Sequence, residues 1–204
     1  MKLQHLPPEW RARLEQERRE AVRAANVFAR ICREDDADAL YNAHLLLNEA
    51  VNAWQLAMAK VAKLSRVSSE IQNAFVGIWV ESKMLPLRVG HRPTMAAALR
   101  VLLPGGYYGP SITLYRGTHS GERRRRLYGF SWTTDIAIAR MFAESRAGLK
   151  QWPPVVLRTE APPEAVLLIR QPEDFYDEGE VVVDPFRLGK IEVVEFLKEQ
   201  LPHE

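Results

Sequence analysis

The feature that most constrains this chain is a change of character near residue 104. Before it, no glycine occurs until Gly77 and the residues read as helix; after it, short runs rich in β-branched residues are separated by turn signals. A chain of 204 residues divided in this way predicts a helical part over 1–104 and a mainly β part over 105–204, an α+β architecture. Pro7 and Pro8 stand before EWRARLEQERREAVRAANVFARICRE, where proline suits the start of a helix. EDDADAL then sets acids at the start of a second helix, where they complement its dipole. Leu40, His44, Leu47, Val51, Trp54, Met58 and Val61 recur at spacings of three and four, which predicts one apolar stripe on one helix. His44 on that stripe reads as a core residue with its hydrogen bonding satisfied. A third helix is predicted over Ser68 to Lys83, burying Ile71, Phe75, Ile78 and Trp79, and a short one over Thr94 to Leu102.

LPGGYYGP then punctuates the chain. ITLYRG, VVLRTE, AVLLIR, EVVVDP and KIEVVEFL read as strands. One helix interrupts them, over about Asp135 to Arg146, with Ile138, Met141 and Phe142 on one side. The run Arg123 to Arg126, in GERRRRLYG, reads as a solvated loop, with attraction of ligand phosphates, an acidic partner or nucleic acid as the alternative.

Composition narrows the function classes. The formal charge of +2 is too small to imply nucleic-acid binding by itself. The one cysteine, Cys32, cannot form an internal disulfide, and five histidines without metal-ligand spacing make a metal site an unfavoured expectation. No run has signal-peptide character or the roughly 20 apolar residues of a membrane helix, so a cytoplasmic protein without membrane contact is expected. A toxin exported without a classical signal also fits. Neither a Walker nor a dinucleotide-fold glycine motif occurs, so redox use of a nicotinamide cofactor is not indicated.

Three pieces carry chemistry. Arg116 ends an apolar strand beside Gly117, where a guanidinium can grip phosphate oxygens in bidentate fashion; a salt-bridged strand-end arginine is the ordinary alternative. Ser131 and Thr133 alternate, so in an extended segment both hydroxyls face one way; Asp135 follows where a helix should begin, and SWTTD also reads as a plain strand-to-helix corner with a cap. Glu178 and Glu180 alternate likewise. Two like charges held together cost energy unless a developing positive charge faces them, as in an oxocarbenium-like transition state; the ordinary alternative is two solvated glutamates in the acidic run QPEDFYDEGE.

In this order, over about residues 112 to 197, the three pieces resemble the arginine–serine–glutamate class of mono-ADP-ribosyltransferases, the cholera-toxin-like and ecto-transferase branch with paired glutamates. Arg116 matches the arginine. Ser131-Trp132-Thr133 matches Ser-Thr-Ser with two replacements, and Glu178-Gly179-Glu180 matches Glu-x-Glu. Residues 1–104 carry no such resemblance. The resemblance implies a core of two small antiparallel sheets forming a cleft for NAD, which serves as substrate.

Arg116, with Gly117, would hold the phosphates or nearby ribose; Ser131 would aim Glu180; and Thr133 would support the same strand. Glu180 would stabilise the positive charge as the glycosidic bond breaks, and Glu178 would orient and deprotonate the acceptor, which points to protein arginine. Trp132 and Phe142 would line the nicotinamide pocket, and Tyr176 would engage the target protein. A nucleic-acid acceptor stays open. Water as acceptor would make the protein an NAD glycohydrolase, and a non-catalytic partner-binding effector is the third reading. Small NAD-consuming proteins of this plan look like bacterial or phage toxins and effectors, for which the helical half could meet an inhibitor or immunity partner.

Overall fold

The computed structural model describes residues 5–145, 152–170 and 179–197. The chain forms two compact units, 1–104 and 105–204. Among the described residues no helix is long and apolar enough to cross a membrane.

The first unit is helical: α1 (Pro8–Glu34), α2 (Ala37–Glu49), α3 (Ala53–Val61), α4 (Ser69–Glu81), α5 (Leu85–Val89) and α6 (Arg92–Leu102). Local chemistry sets the boundaries. Proline opens α1, and the Asp36 and Ser68 side chains accept from the backbone N–H of Ala39 and Ile71 to cap α2 and α4. Phe28, Leu40, Leu47, Trp54, Met58, Ile71 and Phe75 are fully buried and form the core.

The single stripe from Leu40 to Val61 is in fact two helices. Ala50 is extended and Asn52 is left-handed, with φ 62°, a conformation asparagine tolerates better than most residues. Leu40, His44 and Leu47 are buried from α2 and Trp54, Met58 and Val61 from α3, whereas Val51 at the corner is 63% exposed. Both halves face one core, so the periodicity runs on across a turn that it cannot report.

His44 is buried, but only half satisfied. Asn48 Oδ1 accepts from Trp54 Nε1 (2.9 Å) and from Arg88 Nη1, which fixes the amide so that Asn48 Nδ2 donates to His44 Nε2 at 2.9 Å. Nε2 is therefore an acceptor, also within 3.1 Å of Ser82 Oγ, and the proton belongs on Nδ1, which is buried with no hydrogen-bond partner. Burial lowers the pKa of the ring, Glu81 opposes that and Arg88 adds to it.

The unfolded imidazole takes up a proton near pH 6.5 and the folded one only at lower pH. The stabilisation is therefore complete above the unfolded value and is lost as pH falls through the folded one. Thermal melts from pH 7.5 to 5 are expected to show a decline that His44→Gln flattens. Parallel curves for the two proteins would remove His44 as the cause.

The second unit holds β1 (Ile112–His119), α7 (Ser120–Arg125), β2 (Ser131–Thr133), α8 (Ile136–Glu144), β3 (Pro154–Ala161), β4 (Val166–Ile169), β5 (Glu180–Val183) and β6 (Ile191–Phe196). The strands form one six-stranded antiparallel sheet in the order β4-β5-β2-β1-β3-β6. The expected pair of separate sheets is thereby corrected. The three-stranded halves β4-β5-β2 and β1-β3-β6 remain joined because Tyr115 of β1 pairs with Thr133 of β2. Leu114, Trp132, Val155, Leu157, Val181 and Val183 meet on one face of the sheet as its main core.

The run GERRRRLYG is not wholly a loop, since its first residues form α7. On α8 the buried residues are Ala139 and Ala143, not the expected large side: Met141 is 49% exposed, and Ile138 and Phe142 are half-buried. The reason is close approach, since α8 lies on β1 at Gly117. A Cβ there would overlap the Ala139 carbonyl oxygen and the Ala143 nitrogen. Gly117→Ala is expected to destabilise this unit by about 1–3 kcal/mol, read as a lower urea midpoint; an unchanged midpoint would mean that α8 has room to move away.

Candidate functional site

The strands that carry the sequence motifs lie side by side, as β1, β2 and β5. Register then sorts the side chains. Ser131 pairs with Val182, Trp132 with Val181 and Thr133 with Glu180. Paired residues share a face and neighbours alternate, so Ser131, Thr133 and Glu180 stand on one face, with Ser131 diagonal to Glu180. Trp132 points the other way. It is 2% exposed within the core, and its indole N–H is spent on the Gly129 carbonyl at 3.1 Å. Trp132, expected to line a nicotinamide pocket, thus points into the core, on the face opposite Ser131 and Thr133.

Thr133 is buried, and its Oγ1 accepts from the backbone N–H of Asp135 at 3.1 Å. Asp135 in turn caps α8 by accepting from the Ala137 N–H at 2.6 Å. The strand-to-helix corner and the hydroxyl pair are thus the same structure, and both readings of SWTTD hold locally. Glu180, at the start of β5, is half-buried with its carboxylate 3.7 Å from the Arg170 guanidinium. Glu178 and Tyr176 lie outside the described residues.

Arg116 alternates with Leu114 and so leaves β1 on the core face, opposite the face of Thr133 and Glu180. Beyond the Tyr115/Thr133 pair the two strands no longer ladder, and the guanidinium turns to the main chain of β2. Its Nη1 donates to the Ser131 carbonyl at 2.6 Å. Its Nε and Nη2 donate to Glu122 Oε1 and Oε2 at 2.8 and 3.3 Å. Three of the five N–H groups of Arg116 are so engaged. Gly117, placed beside Arg116 as a cofactor-binding residue, is accounted for by the approach of α8. Phe142 lies half-buried next to the alanine face of that helix.

Glu122 is the residue that sequence reading missed. It is 8% exposed and also accepts from Thr118 Oγ1 at 2.5 Å and the Gly129 N–H at 2.8 Å. Burial raises its pKa, but the Arg116 charge and these donors outweigh burial and hold the carboxyl below its ordinary range. The available signal was a single acid at the head of the basic run Arg123 to Arg126, four residues after Thr118.

This arrangement supplies a fixed guanidinium held to the main chain of β2 on one face of the sheet and, on the opposite face, the Glu180 carboxylate on the side of Ser131 and Thr133. A guanidinium suits an anionic ligand, and a carboxylate suits a developing cation. A cavity of about 690 Å³ lies elsewhere, along α1, lined by Glu15, Arg18, Val22, Arg23 and Val27 among others, and contains none of these residues. No family model, curated protein or solved structure matches the chain.

Proposed function

We propose that this protein cleaves the bond between nicotinamide and ribose in NAD and transfers ADP-ribose to a macromolecular acceptor, with protein arginine favoured. The observation that carries this reading is the strand order β5-β2-β1, which makes neighbours of three motifs far apart in the chain and sets Thr133 opposite Glu180. Arg116 retains two N–H groups beyond its bonds to Glu122 and Ser131, a number that fits one phosphate. Glu180 stabilises the positive charge on the ribose as the glycosidic bond breaks and nicotinamide leaves with the bonding electrons. Ser131 and Thr133 line the same face. Glu178 takes the proton of the incoming acceptor nitrogen as that nitrogen bonds to C1′ of the ribose.

The test is nicotinamide release from purified protein and NAD, followed by mass spectrometry of lysate proteins incubated with labelled NAD. Release with labelled arginine is the expected result, and no release under any condition favours a partner-binding role. Glu178→Gln is expected to abolish arginine labelling and leave part of the hydrolysis. Release without labelled protein identifies a glycohydrolase, and labelling that survives Glu178→Gln removes the arginine assignment.

A further inference from the structure

The basic run that follows β1 has a structure of its own. Arg123 is tied to Tyr128 Oη at 3.2 Å. Arg124 and Arg125 instead converge on one indole: their guanidinium carbons lie 5.6 and 5.4 Å from the centre of the Trp152 ring. Arg126 ends α7 in the left-handed conformation, φ 53°, at a place where glycine or asparagine is usual. The chain thus keeps a third guanidinium here at a backbone cost.

Arg124, Arg125 and Arg126 are exposed, and no carboxylate among the described residues pairs with any of them. By contrast Arg13, Arg140, Arg158 and Arg187 each have an acidic partner. Neighbouring cations repel, and an aromatic face offsets only part of that.

The seat of the indole is also specific. A Cβ at Gly121 would come within 2.8 Å of Trp152 Cδ2 and 2.9 Å of His119 Nδ1, so a glycine lets both rings lie against the first turn of α7. His119 Nδ1 is itself buried without a hydrogen-bond partner.

We propose that Arg124, Arg125 and Trp152, with Arg126 beside them, form a binding site for phosphate oxyanions, supplied either by a nucleic-acid strand or by a free diphosphate. The indole holds two guanidiniums together before the ligand arrives, so little side-chain freedom is lost on binding. Their outward N–H groups match phosphate oxygens in bidentate fashion. The site does not require NAD cleavage: protein inactive toward NAD that still binds phosphate here leaves it standing.

The experiment measures binding of a fluorescein-labelled oligo-dT strand by anisotropy across a salt series, with inorganic pyrophosphate as the second arm. Each arm is read as the difference between wild type and R124Q/R125Q, so that anions held at Arg116 are not counted. The double variant is expected to weaken binding roughly tenfold or more and to flatten the dependence on log salt by about 1.4. Trp152→Ala, which changes no charge, is expected to weaken it several-fold. R18Q/R23Q, which removes the same charge from α1, is expected to leave it unchanged. A differential effect confined to oligo-dT identifies a strand as the source, and one shared equally by pyrophosphate identifies a free diphosphate.

The proposal is overturned if R18Q/R23Q costs as much as R124Q/R125Q, if wild type binds neither ligand at low salt, or if polyglutamate competes as well as oligo-dT. Circular dichroism and thermal melts of each variant establish that the fold is retained.

Discussion

Under the proposed chemistry, Glu180→Gln is expected to lower nicotinamide release from NAD on the order of a hundred- to a thousand-fold, the usual cost of removing one charge placed where charge develops. The substitution keeps the volume of the side chain and its place opposite Thr133 and removes only the negative charge. Part of its structural cost comes from the loosened pair with Arg170, a 3.7 Å contact between side chains 9% and 17% exposed. The effect is expected in kcat, because the charge acts as the bond breaks, with KM for NAD changed little. Steady-state kinetics beside a thermal melt separates the two contributions. A rate within threefold of wild type in a folded variant would show that Glu180 is not the stabilising carboxylate, and with it the proposed chemistry would lose its centre.

Glu122→Gln produces the largest expected loss of stability, about 3–5 kcal/mol. The carboxylate is 8% exposed and accepts from Arg116, Thr118 and Gly129. An amide in its place turns one acceptor into a donor that faces a guanidinium and leaves a largely buried positive charge without its counter-ion. The double variant R116M/E122L removes both charges and is expected to recover a large part of the loss, since a buried ion pair is costly mainly when broken on one side.

Acid adds a second measurement. The Glu122 carboxyl lies below its ordinary range because Arg116 and its donors outweigh burial. Its stabilisation is therefore complete above the unfolded carboxylate value and is lost as pH falls through the folded one. Urea midpoints of wild type are expected to drop at low pH, while those of R116M/E122L change less over the same range. A single Glu122→Gln variant within about 1 kcal/mol of wild type would reduce the pair to a surface contact.

Much of the fold is legible in the sequence, because it rests on local periodicity and on residues that stop or start elements. The predicted strands at ITLYRG, VVLRTE, AVLLIR, EVVVDP and KIEVVEFL correspond to β1, β3, β4, β5 and β6, and the capping side chains Asp36, Ser68 and Asp135 fall where helices begin. Alternation also placed Ser131 and Thr133 on one face, and the same alternation turns Trp132 into the core once the segment is a strand.

The sequence alone determined most of the helices and strands, α5 and α7 excepted, because those choices follow from the spacing of apolar residues over a few turns. Tertiary structure decided the rest. Whether the stripe from Leu40 to Val61 is one helix or two depended on a left-handed Asn52 that periodicity does not register. Which face of α8 is buried depended on how near Gly117 lets that helix come. Whether the β unit held two sheets or one depended on the single pairing of Tyr115 with Thr133, and the partner of Arg116 on a helical turn that carries Glu122 back to it. Each is a contact between residues that propensity treats as independent, and so each is fixed only when the chain closes on itself.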